Sequence, residues 1–123
     1  MSRLEEREFV ARLIVSVLTD RMSVREAVLQ FPKDTTDKNI ITAYHALMHY
    51  EADEDERAMD LAFREEQDEY LNMIAELLAA GKELPKNIIK SYEPYYPEVQ
   101  FSLPKSKSFK NFIKTLCRFL NVK

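Results

Sequence analysis

Glycine is almost missing from this sequence: Gly81 is the only one in 123 residues. Hairpin turns and strand bulges lean on glycine, so its scarcity favours helices joined by short connections over a strand-rich fold. It also excludes the glycine-rich loops that cradle phosphate, and with them the nucleotide enzymes built on such loops. Cysteine likewise occurs once, as Cys117, which rules out an intrachain disulfide and a multi-cysteine metal cluster. Tryptophan is absent, but seven Phe and six Tyr can supply the aromatic volume of a core. No long uninterrupted apolar run exists. The run FVARLIVSVL is broken by Arg12 and preceded by Glu5, Glu6 and Glu8, which suits neither a signal peptide nor a membrane span. The cytoplasm is the default expectation. An excess of positive charge is also lacking: the net charge is -3, which gives no general attraction to nucleic acid or anionic lipid.

What remains is the composition of a small globular protein. Hydrophobic residues make up 46% and charged residues 32%, enough of the first to build one core and too balanced for a disordered chain. The sequence predicts an all-α fold, a single-domain bundle of five to six helices. Residues 1–91 form the main bundle, 92–104 an extended Pro/Tyr-rich connector, and 105–123 a basic amphipathic C-terminal helix.

Helical periodicity places the elements. Over residues 4–19, Phe9, Val10, Leu13, Ile14, Val17 and Leu18 form one apolar stripe. Ser23 and Glu26 have capping-box spacing and open a short helix that Pro32 ends. Asp37 can cap a third helix, with Ile40, Ile41, Tyr44, Leu47 and Met48 as its buried stripe. A fourth helix spans about 57–80, with Met59, Phe63, Gln67, Tyr70, Met73, Ile74, Leu77 and Leu78 on one face. Gly81 stands where a left-handed C-terminal cap belongs, and Pro85 can open a fifth helix. Helices one, three and four are expected to make the main bundle.

The most distinctive stretch is YHALMHYEADEDER, residues 44–57. His45 and His49 lie one helical turn apart, the spacing by which HExxH enzymes hold zinc. Ala46 stands where such an enzyme carries its glutamate, so the general base is missing. A set of His45, His49 and Asp53 or Glu56 would still suit Zn, Fe(II) or Mn. At about 100° per residue, a stripe centred near Tyr44 puts both histidines on a flank or the exposed side. The acidic turn itself is no calcium loop: Ala58 and Arg64 replace the glycine and the bidentate acid of an EF-hand. Glu54, Asp55 and Glu56 fit better as acids complementing the dipole of the next helix. Cys117 sits beside Leu116 and Leu120, where a buried small residue is the simpler role. A helix-turn-helix reading of residues 23–50 fails on charge, because its second helix offers Lys38 alone to phosphate.

Charge is strongly segregated. Residues 51–69 hold ten acidic and two basic residues, whereas residues 105–123 hold six basic and no acidic ones. Such blocks can attract each other within or between chains. The leading expectation is a non-catalytic protein-interaction or regulatory module, binding a protein partner or itself, with no cofactor. The expected partner-binding residues are Glu54 and Asp55 of the acidic turn, Tyr92, Tyr95 and Tyr96 of the connector, and Lys110, Lys114 and Arg118 of the C-terminal helix. Nucleic acid is disfavoured, and peripheral membrane contact is a lesser reading of the basic helix. The alternative is a metal-binding protein or metalloenzyme using the histidine pair.

Overall fold

The computed structural model describes residues 2–92; the expected connector after Tyr92 and the C-terminal helix, with Tyr95, Tyr96, Lys110, Lys114, Cys117 and Arg118, lie outside the described residues. Among the described residues there are six helices and no strand, which makes this a small all-α domain. The helices are α1 (Arg3–Leu18), α2 (Val24–Leu29), α3 (Lys38–Ala52), α4 (Glu54–Met59), α5 (Leu61–Ala79) and α6 (Lys86–Tyr92).

Four of the six starts have a side-chain cap. Ser2 and Glu5 form a capping box ahead of α1, and Ser23 and Glu26 form the expected one ahead of α2. Asp37 caps α3 by accepting from the Asn39 amide, and Asp60 caps α5 by accepting from the Phe63 amide. Each such cap satisfies an amide that would otherwise have no partner in the first turn. The stops are equally local. Gly81 has φ +71°, and the amides of Gly81 and Lys82 donate to the Leu78 and Leu77 carbonyls, the paired bonds of a Schellman ending. The end of α1 has the same bond pattern, but its left-handed residue is Asp20, at φ 59°.

The long helices α1 and α5 pack most extensively on each other, and α3 lies against both. Val10, Leu13, Ile14 and Val17 of α1 meet Tyr70, Leu71, Ile74, Ala75 and Leu78 of α5 and Ile40, Ala43 and Leu47 of α3 in one core. Burying each of the larger aliphatic side chains contributes roughly 1.5–3 kcal/mol. Short α2 closes the core through Val24 and Ala27 and packs on α1 and α3; α6 closes it through Ile88 and Tyr92 and packs on α3.

Two expectations about helix faces need correction. The predicted fourth helix is two helices, broken at Asp60, whose extended backbone (φ −139°, ψ 99°) and capping carboxylate start α5 afresh. Met59 is consequently not on the buried face with Phe63 but 89% exposed. The stripe of α3 is also rotated. Tyr44 and Met48 are only partly buried, whereas His45 and His49 are fully buried, at 2% and 0% exposure. The reason is that α3 is covered on two sides, by α1, α2 and α5 and by α6, so its apolar stripe alone does not mark its buried surface.

Candidate functional site

The histidine pair lies beneath α6. The Tyr92 ring, at the end of α6, stacks on His45 with centroids 6.3 Å apart and planes 16° apart, and it meets His49 at 5.7 Å and 52°. Its hydroxyl and that of Tyr70 on α5 share a hydrogen bond of 2.9 Å. Tyr92, expected in the connector as a docking residue, is therefore the last residue of a helix and 1% exposed. Its ring is held by α3 and its hydroxyl by α5. Burial pushes the His45 imidazole down to about 4, and burial together with the neighbouring His45 does the same for His49. Both rings are neutral at pH 7.

Asp53, one turn beyond His49, is buried at 1% exposure and ends α3 as its C-cap. Gln67 of α5 donates from Nε2 to its Oδ2 at 3.2 Å. Asp53 therefore joins α3 to α5 and does not sit with the exposed Glu54 and Asp55, which together with half-buried Glu56 form the acidic first turn of α4. Among the described residues, no group of three or more His, Cys, Asp and Glu side chains is arranged to hold a metal ion. The structure thus brings His45 and His49 together but does not gather them with Asp53 and Glu56 into a ligand set.

A residue not singled out from the sequence organises this corner. Arg57 is half-buried; its guanidinium lies 3.5 Å above the centre of the Tyr50 ring, donates to the Tyr50 carbonyl, and donates to Gln67 Oε1 at 2.8 Å. Burial lowers its basicity, opposed by the negative groups around it. Tyr50 in turn donates to Asp68 at 2.8 Å, and burial together with that carboxylate pushes its hydroxyl up to about 12. The ends of α3 and α4 are thereby fixed against α5. The sequence signal was present: Arg57 is the only base between Glu51 and Phe63. A lone cation in an acidic run at a helix break has many possible partners.

This locked corner presents an unusual surface. Ala58, Met59, Leu61 and Ala62 flank Asp60 at the α4–α5 elbow, and all four are exposed, Met59 at 89% and Leu61 at 68%. Other large exposed apolar side chains, Leu4, Val15 and Leu29, are scattered singly over the domain. Single exposed apolar residues are ordinary, whereas adjacent ones ringed by polar groups mark interaction surfaces. The exposed charges around it are mostly acidic: Glu54 and Asp55 precede the elbow and Glu65 follows it, with Arg64 as the one exposed cation among residues 54–65. A cleft of about 350 Å³ adjoins it between the end of α1 and α4, its charged lining mixed, with Glu51 and Glu54 beside Arg57 and Arg64.

Comparison of the chain with protein-family models, with curated proteins and with solved structures returned no match. No helix among the described residues is long and apolar enough to cross a membrane.

Proposed function

We propose that this chain is a non-catalytic protein-interaction module whose docking surface is the α4–α5 elbow. The observation that carries this reading is the exposure of Met59 and Leu61 on either side of Asp60 within an acidic stretch. An apolar centre with a charged rim is the usual anatomy of a docking patch, and methionine adapts its shape to a partner better than branched side chains do. The acidic rim selects for a cationic partner and raises its encounter rate. The chemistry that fits is a basic amphipathic helix, presenting an apolar stripe to Met59 and Leu61 and cations to Glu54, Asp55 and Glu65. Because Arg57 fixes the elbow against α5, such a surface binds without refolding.

The test uses the intact chain and a synthetic helix-forming peptide of leucine and lysine with one apolar face. In an NMR titration up to about 1 mM peptide, a range that also captures weak docking, saturable shifts are expected at the amides of residues 54–65. The double variant Met59→Asp, Leu61→Asp removes them while the remaining spectrum stays folded. Unchanged signals at residues 54–65, or shifts that persist in the double variant, refute this surface.

A further inference from the structure

Residues 2–92 hold nineteen acidic and twelve basic residues, so the described domain is acidic on balance. At one groove the balance reverses. It has a volume of about 430 Å³, lies where the starts of α1, α3 and α6 meet, and is lined by five of those bases and two of those acids. Both acids bear on the buried Arg7. Asp37 holds its guanidinium in the ion pair at 2.6 Å. That hydrogen bond raises the basicity of Arg7, and the charge of Glu83 adds to the effect. Four exposed cations stand on the rim: Arg3 of α1, Lys38 of α3, and Lys86 and Lys90 of α6. Among the lining residues, Glu83 is the one exposed acid set against them.

The rim is built on a fixed base. Asn39 donates to Asp37 and accepts from the Leu84 amide, so α1, α3 and the lead into α6 are joined before any ligand arrives. Arg3 donates from Nη2 to the Thr36 hydroxyl at 3.4 Å, which turns its guanidinium toward the loop before α3. Lys86 and Lys90 lie one turn apart on α6, a like-charge spacing that destabilises a free helix and that a bound anion turns favourable. Cations gathered from three helices around one concavity fit a compact anion of high charge density; an extended polyanion is tracked by a long basic channel instead. Phosphate suits these donors, lysine as a point charge and arginine as a fork.

We propose that this groove binds a small anion carrying two or more clustered phosphate groups, contacted by Arg3, Lys38, Lys86 and Lys90. It shares no residue with the elbow and does not depend on the elbow being a docking surface.

The probe is inorganic tripolyphosphate, titrated into the intact ¹⁵N-labelled chain up to about 1 mM. Saturable shifts are expected at the amides of residues 36–39 and 83–90, weakened by about 0.5 M salt. Residues 105–123 are also basic, so the variants decide where the anion sits. Lys86→Gln, Lys90→Gln changes two exposed side chains and is expected to weaken binding at the groove roughly tenfold. Glu83→Gln removes the rim acid and is expected to strengthen it about threefold. Lys110→Gln, Lys114→Gln should leave it unchanged. Shifts confined to residues 105–123, a groove affinity that the Lys86→Gln, Lys90→Gln variant does not lower, or one that Glu83→Gln lowers, overturn the proposal. So does tighter binding of a tetraglutamate peptide than of tripolyphosphate, which gives the groove to an acidic protein segment. Phosphatidylcholine vesicles doped with phosphatidylinositol bisphosphate separate the two sources of such phosphates. Cosedimentation that Lys86→Gln, Lys90→Gln abolishes assigns them to a lipid headgroup, and tripolyphosphate binding without it assigns them to a free anion.

Discussion

At the residue scale, the pair Arg7 and Asp37 holds more of the domain together than its place in the sequence suggests. Arg7 of α1 donates from Nε to Asp37 Oδ2 at 2.6 Å and from Nη2 to Oδ1 at 3.2 Å, and from Nη1 to the Gly81 carbonyl at 3.2 Å. Asn39 donates its amide and side-chain N–H groups to Asp37 Oδ1 and accepts from the Leu84 amide at 2.7 Å. One arginine thus joins the start of α1, the cap of α3 and the end of α5. Burial by itself would raise the Asp37 carboxyl, but the hydrogen bonds from Arg7 and Asn39 outweigh it and hold it below the usual range. Its stabilising effect is therefore present above the ordinary carboxylate pKa and is lost as pH falls through the depressed one. Arg7→Met keeps most of the stem's packing and strands a buried carboxylate. A loss of about 3–5 kcal/mol is expected in urea unfolding at pH 7, and the double variant Arg7→Met, Asp37→Asn should recover part of it. Asp20 offers the opposite sign. Its left-handed backbone costs an L-residue about 1–2 kcal/mol, and glycine removes that cost at some loss of chain entropy. Asp20→Gly should raise stability by up to about 1 kcal/mol, seen as an upward shift of the thermal midpoint.

At the element scale, the signals that act within one turn were legible in the sequence, and those that depend on a neighbour were not. The capping box at Ser23 and Glu26, the Asp37 cap and the left-handed Gly81 are all present, because each is decided by four or five consecutive residues. The class of fold follows from the same local signals. The division of α4 from α5 was missed because Asp60 occupies a polar position in a continuous helical pattern, and only its backbone conformation reveals the break. Periodicity finds one stripe, but α3 is covered from two sides, and the second cover, α6, carries Tyr92 onto the histidines. The acids at the start of α4 do lie in its first turn; exposed Met59 beside them was assigned to the buried face because it continues the stripe of Phe63, and Leu61 was not singled out. Gly81 links this scale to the one below. A Cβ there would adopt φ +71° and stand 2.8 Å from Leu4 Cδ2. Gly81→Ala should therefore cost about 1–2 kcal/mol in chemical unfolding from the left-handed backbone, with Leu4 able to rotate aside because it is itself half exposed.

At the scale of the whole molecule, the two histidines couple the closure of the bundle to pH. They lie where α3, α6 and the Tyr70 hydroxyl of α5 meet, so charging them opposes the packing that seats α6. The folded-state values of about 4 lie below the ordinary histidine value of 6.5. Above 6.5 both rings are neutral in the folded and unfolded chains, and they contribute no pH dependence. Between 6.5 and about 4 the unfolded chain binds protons that the folded chain refuses, so stability falls as pH falls. The full loss approaches roughly 3 kcal/mol for each histidine, and His49 carries the extra penalty of a charged neighbour. Two such groups together amount to a large share of the stability of a domain this size. Urea unfolding from pH 7 down to about 4.5 should show a steep decline, steeper than Asp37 produces, because the depressed Asp37 carboxyl releases its contribution only at lower pH. His49→Gln is neutral throughout this range. Whatever its stability at pH 7, its decline should be about half as steep as that of the wild type. An undiminished slope in both His49→Gln and His45→Gln would mean that the rings take up protons in the folded chain, and that α6 stays seated over charged histidines.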